Sequence, residues 1–465
     1  MFTKHTYIRF RETGIYLFLI GSMLFISDTE FAGFPIYSLL LLIAAVWFLL
    51  IKIFFCKRER LSFVQIRHLT DVLPIAVIII EILGIIMKLF RNPNEGAIDF
   101  AGNAEVIALM LLYVSFSTGM EFRLIYLDLI LYGGLLIIGL FIYICLTGEP
   151  ANGFAGIIAA DSGAIASYLM LFCMISVYSY CISKEKMRSY FYLATSLIGL
   201  FALLLNQNIL SFWLMTVYFI AIPIMLRPTA ALVKKDMQIF FIYGFMMSNM
   251  SLLTEYTDVI LKETAYSLEH SVYLDLILAI GGFFFFYYWD RIPEGIDINR
   301  LVMRRMRRGY LFLIKIMIVI FSGIVISADK WALLGENASS AAIKGFALPL
   351  VESIRKSESG IYACFRDGGI VGAVLCVFFL LLLFGRSYRN YGFDKPVTGI
   401  LILISALFIV QFLFWRPALH TTAIYFMLFL FAVFNKEESV KVRSIKVRGE
   451  TLRKQNEQIK KGAWS

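Results

Sequence analysis

The sequence predicts an all-α polytopic membrane protein with about fourteen transmembrane helices and both termini in the cytoplasm. Three observations predict it. The 465-residue chain is 60% hydrophobic and 16% charged, with a mean hydropathy of +0.79. A soluble domain carries about 45–50% apolar and about 25% charged residues. The apolar residues come in stretches of membrane-crossing length separated by shorter polar ones. The Lys and Arg residues fall unevenly among those polar pieces, as they do in membrane proteins.

A crossing helix needs about 20 apolar residues. On that rule the spans lie near 14–29, 35–55, 71–90, 104–120, 124–146, 163–182, 189–206, 209–226, 237–253, 271–289, 310–328, 368–385, 396–414 and 420–434. The fourth and fifth are joined only by Glu121-Phe122-Arg123. The first follows Lys4, Arg9 and Arg11 and resembles a signal anchor, with no small-residue cleavage site before the second span.

Charge tests this count independently. With the amino terminus inside and the sides alternating, the inner segments include CKRER, SKEKMR, RPTAALVKK, the MRRMRR segment, GRSYRNYGFDK and the tail from Lys436. About 33 of the 43 Lys and Arg residues then face inward and about nine outward. A wrong number of spans before Arg304 would put MRRMRR outside. Residues 1–435 are read as one integral membrane domain and 436–465 as a basic cytoplasmic tail touching anionic lipid. The net charge of +10 therefore reports topology, not nucleic acid. Of the six cysteines only Cys364 falls in a sizeable outer loop, so no disulfide framework is expected. No internal repeat of the kind that builds many transporters is visible.

The longest polar interruption runs from Asp329 to Gly372, between spans eleven and twelve, its outer loop covering 329–367. Ile343, Phe346, Ala347, Leu350 and Ile354 in it follow helical spacing, which predicts a helix lying on the outer surface; the alternative is a solvated loop. Beyond it come Arg355, Lys356, Glu358, Arg366 and Asp367, and Arg416 lies in the last outer loop. Those four cations stand on the face where cations are scarce. The arginine fork bonds two phosphate oxygens at once, so they form a candidate diphosphate site, or else pair with Glu352, Glu358 and Asp367.

Other single residues read in two ways. His270, at the outer end of the tenth span, is a candidate base for a hydroxyl or a lone interfacial histidine. Glu81, mid-span, is a proton relay or a neutral acid bonded to a neighbour. Lys315 snorkels to the inner interface. Asn206, Gln207 and Asn208 contact sugar hydroxyls or close a tight turn. Gly368 and Gly372 allow close helix approach. There is no Walker A, HExxH, GxSxG or paired CxxC motif, and His5, His68, His270 and His420 are scattered, so no metal or other cofactor is expected.

Three pieces resemble the O-antigen polymerase and ligase superfamily. SESGIYACFRDGGIVG, with Tyr362, Gly369 and Gly372, is similar to that family's polar-aromatic segment before a Gly-x-x-Gly span. GEPANGFAGIIAADSGAIASYLML resembles its outer loop and small-residue span entry. EHSVYLDLILAIGG, with His270, Tyr273 and Leu274, is similar to the ligases' His-x-x-Tyr-Leu element. The likeness covers about Gly148 to Trp415. It departs from the ligases in having Ser359, with no histidine, before Tyr362, and in lacking their Ser-Arg pair near the seventh turn.

The resemblance implies a GT-C-like fold and a metal-independent glycosyltransferase facing outward. Such an enzyme moves a growing glycan from undecaprenyl diphosphate onto a lipid-linked repeat unit, in a bacterial plasma membrane. Under it Arg355, Lys356, Arg366 and Arg416 would hold the diphosphate. His270, Tyr273 and Tyr362 would contact substrate, and Glu358, Asp367 or Asp161 would act as base. Its partners would be the undecaprenyl-diphosphate-linked oligosaccharide, membrane lipids, a flippase and a chain-length regulator, with no nucleic acid. The departures favour polymerase over ligase. A lipid-linked oligosaccharide flippase, or a ligase or acyltransferase using His270, are the rivals.

Overall fold

The computed structural model describes residues 13–14, 30–31, 34–59, 69–91, 98–116, 125–147, 162–206, 209–225, 229–249 and 272–292, and short stretches at 308–309, 312–320, 322–323, 361, 370–375, 377–378, 381–382 and 406–407. Nine helices stand among them: α1 (Ile36–Glu59), α2 (Leu69–Arg91), α3 (Ile98–Phe116), α4 (Ile125–Thr147), α5 (Ser162–Ile182), α6 (Lys186–Leu205), α7 (Ile209–Met225), α8 (Ala230–Ser248) and α9 (Val272–Trp289). Strand β1 (Glu30–Phe31) pairs antiparallel with β2 (Phe34–Pro35) ahead of α1 and is the extent of the sheet structure among the described residues.

These segments are helical because a chain in lipid must satisfy every backbone group internally. The stretch Ile125–Leu146 of α4, α6 and α9 are long and apolar enough to cross a membrane. Shorter apolar helical stretches occur at Leu41–Phe54, Pro74–Ile86, Tyr168–Ile182 and Ser211–Ile224. The protein is an all-α membrane protein. Large apolar side chains such as Phe54, Leu136, Trp213, Ile277 and Phe283 are exposed, as lipid-facing residues are.

The helix directions follow from named contacts. Ser183 to Glu185 join α5 to α6 as an antiparallel pair, with the Ser183 amide donating back to the Ser179 carbonyl at 3.0 Å. The start of α8 lies against the end of α5, where Lys235 Nζ reaches the Ser183 carbonyl at 2.7 Å. The start of α8 also meets the end of α9, where Trp289 Nε1 donates to the Ala230 carbonyl at 2.9 Å. Their opposite ends meet through Asn249 and Asp275. So α8 runs antiparallel to α5 and α9. Asp128 and Tyr192, both near helix starts, bond across parallel α4 and α6. Lys52 and Val114, both near helix ends, bond across parallel α1 and α3.

The core centres on α5, which packs on α4, α6, α7 and α8. Phe172 of α5 is its tightest point. A Cβ built on Gly134 of α4 would fall 2.5 Å from the Phe172 ring, and one on Gly199 of α6 would fall 2.8 Å from it. Both glycines let backbones approach around one aromatic ring, the small-residue packing that membrane helices use in place of a hydrophobic drive. Tyr218 and Tyr243 are fully buried and donate to helix carbonyls, of Met174 at 2.6 Å and Phe212 at 3.3 Å.

One element differs from its expected bounds. RPTAALVKK was read as an inner loop and the ninth span as starting at 237. Instead α8 begins at Ala230. Thr229 caps it, its side chain accepting from the Leu232 amide at 3.3 Å. The two extra turns are held by Lys235, which bonds to the end of α5, and by Lys234, which bonds Asp290 beyond α9. The remaining described helices agree with the expected spans to within a few residues, except α3, which starts earlier at Ile98.

Candidate functional site

Besides the Asp128–Tyr192 pair, the described helices bring polar side chains together at the two opposite ends of α8. The larger cluster is where α5 ends, α6 and α8 begin, and α9 ends. Lys235 Nζ donates to the Tyr180 carbonyl (3.1 Å), the Ser183 carbonyl (2.7 Å) and Ser189 Oγ (3.2 Å). The Tyr180 carbonyl belongs to the last turn of α5 and the Ser183 carbonyl lies just past it, at the negative end of the helix dipole. The ammonium also sits 5.0 Å above the Tyr180 ring. Tyr180 in turn donates its hydroxyl to Gln238 Oε1 at 2.8 Å. Lys234 bonds Asp290 just past α9. Arg291 donates to the Tyr287 hydroxyl at 2.6 Å and lies over its ring.

This cluster locks helices. Replacing Lys235 with Met keeps the stem and removes the donor. The variant is expected to lose about 2 kcal/mol, because hydrogen bonds to a charged donor contribute about 1.5–3 kcal/mol and the α5 carbonyls are left short of partners. A thermal melt in detergent checks this, and an unchanged melting temperature would contradict the role.

Beside Lys235, Asp236 is fully buried, and neither carboxylate oxygen has a hydrogen-bond partner among the described residues. It stands just before the apolar stretch starting at Met237. Burial holds its carboxyl well above the usual carboxylate range. Cys173 and Cys181 nearby on α5 are free and buried. Reactive cysteines sit in partly exposed electropositive surroundings, so these two fit structural roles.

The second polar place is the opposite end of α8. Asn249 Nδ2 donates to both oxygens of Asp275, at 3.1 and 3.2 Å. Tyr273, two residues before it, is 81% exposed. Asp275 belongs to the EHSVYLDLILAIGG element, where the sequence reading gives it no role; a carboxylate inside an apolar span is the signal that marks it.

Of the residues predicted from sequence, Tyr273 is the one the structure describes. Glu358, Asp367 and Asp161, and the proposed binding residues Arg355, Lys356, Arg366, Arg416, His270 and Tyr362, lie outside the described residues, as does the helix expected near 343–354. Glu81 and Lys315 are half-buried in helical segments. Asn206 is buried at the turn after α6, which fits its reading as a turn residue; Gln207 and Asn208 lie outside the described residues. Among the described residues no group of three or more His, Cys, Asp and Glu side chains could hold a metal.

No family model, curated protein or solved structure matches this chain.

Proposed function

We propose that this protein polymerises undecaprenyl-diphosphate-linked oligosaccharide repeat units on the outer face of a bacterial plasma membrane. The chain crosses about fourteen times with both termini inside. The observation that carries the reading is a charge asymmetry. Every Lys and Arg on α5, α6, α8 and α9 and in the α5–α6 junction (Lys184, Lys186, Arg188, Lys234, Lys235) lies at one end of the bundle, with Arg291 just beyond α9 at that same end. That end is the cytoplasmic one by the positive-inside rule. The opposite end, with Asp275, Asn249 and Tyr273, then faces outward. Continued alternation brings the cation-bearing segment 329–367 to that same side.

Chemistry on that side needs three things. Cations must stabilise the leaving diphosphate, for which Arg355, Lys356, Arg366 and Arg416 serve. A carboxylate must take the proton of the acceptor hydroxyl; Glu358 is the first choice, with Asp367 and Asp161 behind it. Polar and aromatic groups must hold the sugars, for which His270, Tyr273 and Tyr362 are placed in outer segments. A flippase and a chain-length regulator are the partners this reaction implies.

One observation favours a second reading. Lys52 and Asp236 are charged residues buried between helices, and a lipid-linked oligosaccharide flippase needs such groups along its path. Both lie near helix ends, however, and Lys52 is bonded to the Val114 carbonyl at 2.6 Å. That position suits a lock better than a transport path. Gene deletion separates the readings. Loss of a polymerase leaves single repeat units on the cell surface. Loss of a flippase abolishes surface glycan and traps lipid-linked units inside, an outcome that would reject the proposal.

A further inference from the structure

Two neighbouring side chains at the start of α8 have opposite fates. Lys235 is fully engaged by the end of α5. Asp236 has no exposed surface, and both its oxygens lack partners among the described residues. Buried polar atoms without partners are rare in native proteins and need an explanation.

The surroundings narrow the explanation. α8 packs on α5, α6, α7 and α9. From α5 come Tyr178, Tyr180 and Cys181. Tyr180 is spent on Gln238. The Tyr178 hydroxyl is itself buried without a hydrogen-bond partner among the described residues. From α6, Arg188 pairs with Glu185 at 3.2 Å and Tyr192 donates to Asp128 at 2.5 Å. Lys184 and Lys186, at the α5–α6 junction, are exposed. From α7, Tyr218 donates to the Met174 carbonyl. Beyond α9, Asp290 takes Lys234. Cys181 and Tyr218 are the electrostatic neighbours of the carboxylate, and neither is a cation. An ionised carboxylate in this position has no ion-pair partner among the described residues: the nearby Lys235 ammonium is held by the end of α5. Gaining a proton removes the charge and leaves a neutral group that such surroundings tolerate.

We propose that Asp236 is a proton-binding site, its carboxyl taking a proton from solvent as α8 closes on α5 and α7 and returning it when this end of the bundle opens. The neutral carboxyl is then part of the packed state, and its ionisation is linked to separation of the start of α8. The site is independent of the glycan chemistry at the other end of the helices.

The test uses the whole protein in detergent. The folded state holds the proton to higher pH than the unfolded chain, so wild-type stability falls as pH rises above the ordinary carboxylate range. Asn cannot ionise. Asp236→Asn should therefore melt at or above wild type near neutral pH, with the gap closing as pH is lowered. The infrared difference between wild type and variant at neutral pH should show the carbonyl band of a protonated acid. A carboxylate band instead, or a variant that melts well below wild type at every pH or fails to fold, overturns the proposal.

Discussion

Replacing Arg355 and Arg366 together with Ala is expected to reduce glycan chain growth by about 10²–10³-fold, the range seen when one group stabilising transition-state charge is removed. The reason is the leaving group. In the proposed reaction, departure of undecaprenyl diphosphate places negative charge at the outer interface, where the expected topology leaves few cations. Water screens that charge poorly near lipid, and two guanidinium forks can bond several phosphate oxygens at once. Arg443→Ala removes the same charge from the tail, expected on the other side of the membrane, and is expected to leave growth unchanged. Chain length on surface glycan, read by gel, compares the two. Equal effects would show that the diphosphate is bound elsewhere.

The second large effect is structural. Gly134→Ala and Gly199→Ala each drive a methyl into the Phe172 ring, to 2.5 and 2.8 Å. Neither position can relieve the clash by rotating the new group, because a methyl sits on the backbone. Phe172 is fully buried, with α4 on one side and α6 on the other. Overpacking of this kind costs about 1–3 kcal/mol. The Gly134 variant should fall at the top of that range and the Gly199 variant slightly below it. Adding Phe172→Leu to Gly134→Ala should recover part of the loss, since contacting residues are non-additive. Melting temperatures of the three variants check this. An additive double variant would mean that the ring is not what the methyl meets.

Much of the helical layout was legible because lipid imposes a length and a composition on each crossing segment. The bounds of α5, α6, α7 and α9 follow from apolar length alone. The start of α8 was not legible that way. Its first two turns carry Lys234, Lys235 and Asp236, which composition assigns to a loop. They are helical because Lys235 finds the carbonyls of α5, a contact fifty-odd residues away in sequence. The same distance hid Asp236. A carboxylate next to two lysines reads as paired, whereas both ammonium groups turn to other partners. The Gly134–Phe172–Gly199 node was hidden for a related reason. Its glycines sit on different helices, so neither forms a spaced motif with the other. Glu358, Arg355 and Arg366, expected on the outer face from charge patterning, lie outside the described residues.

The charge asymmetry of the bundle ends gives the glycan reading its direction, and one measurement tests that reading most directly. Purified protein in liposomes is supplied with lipid-linked repeat units as both donor and acceptor. The account predicts a ladder of products, each longer by one repeat unit and still attached to undecaprenyl diphosphate. Folded protein that leaves every repeat unit single, with both substrates present, would contradict it.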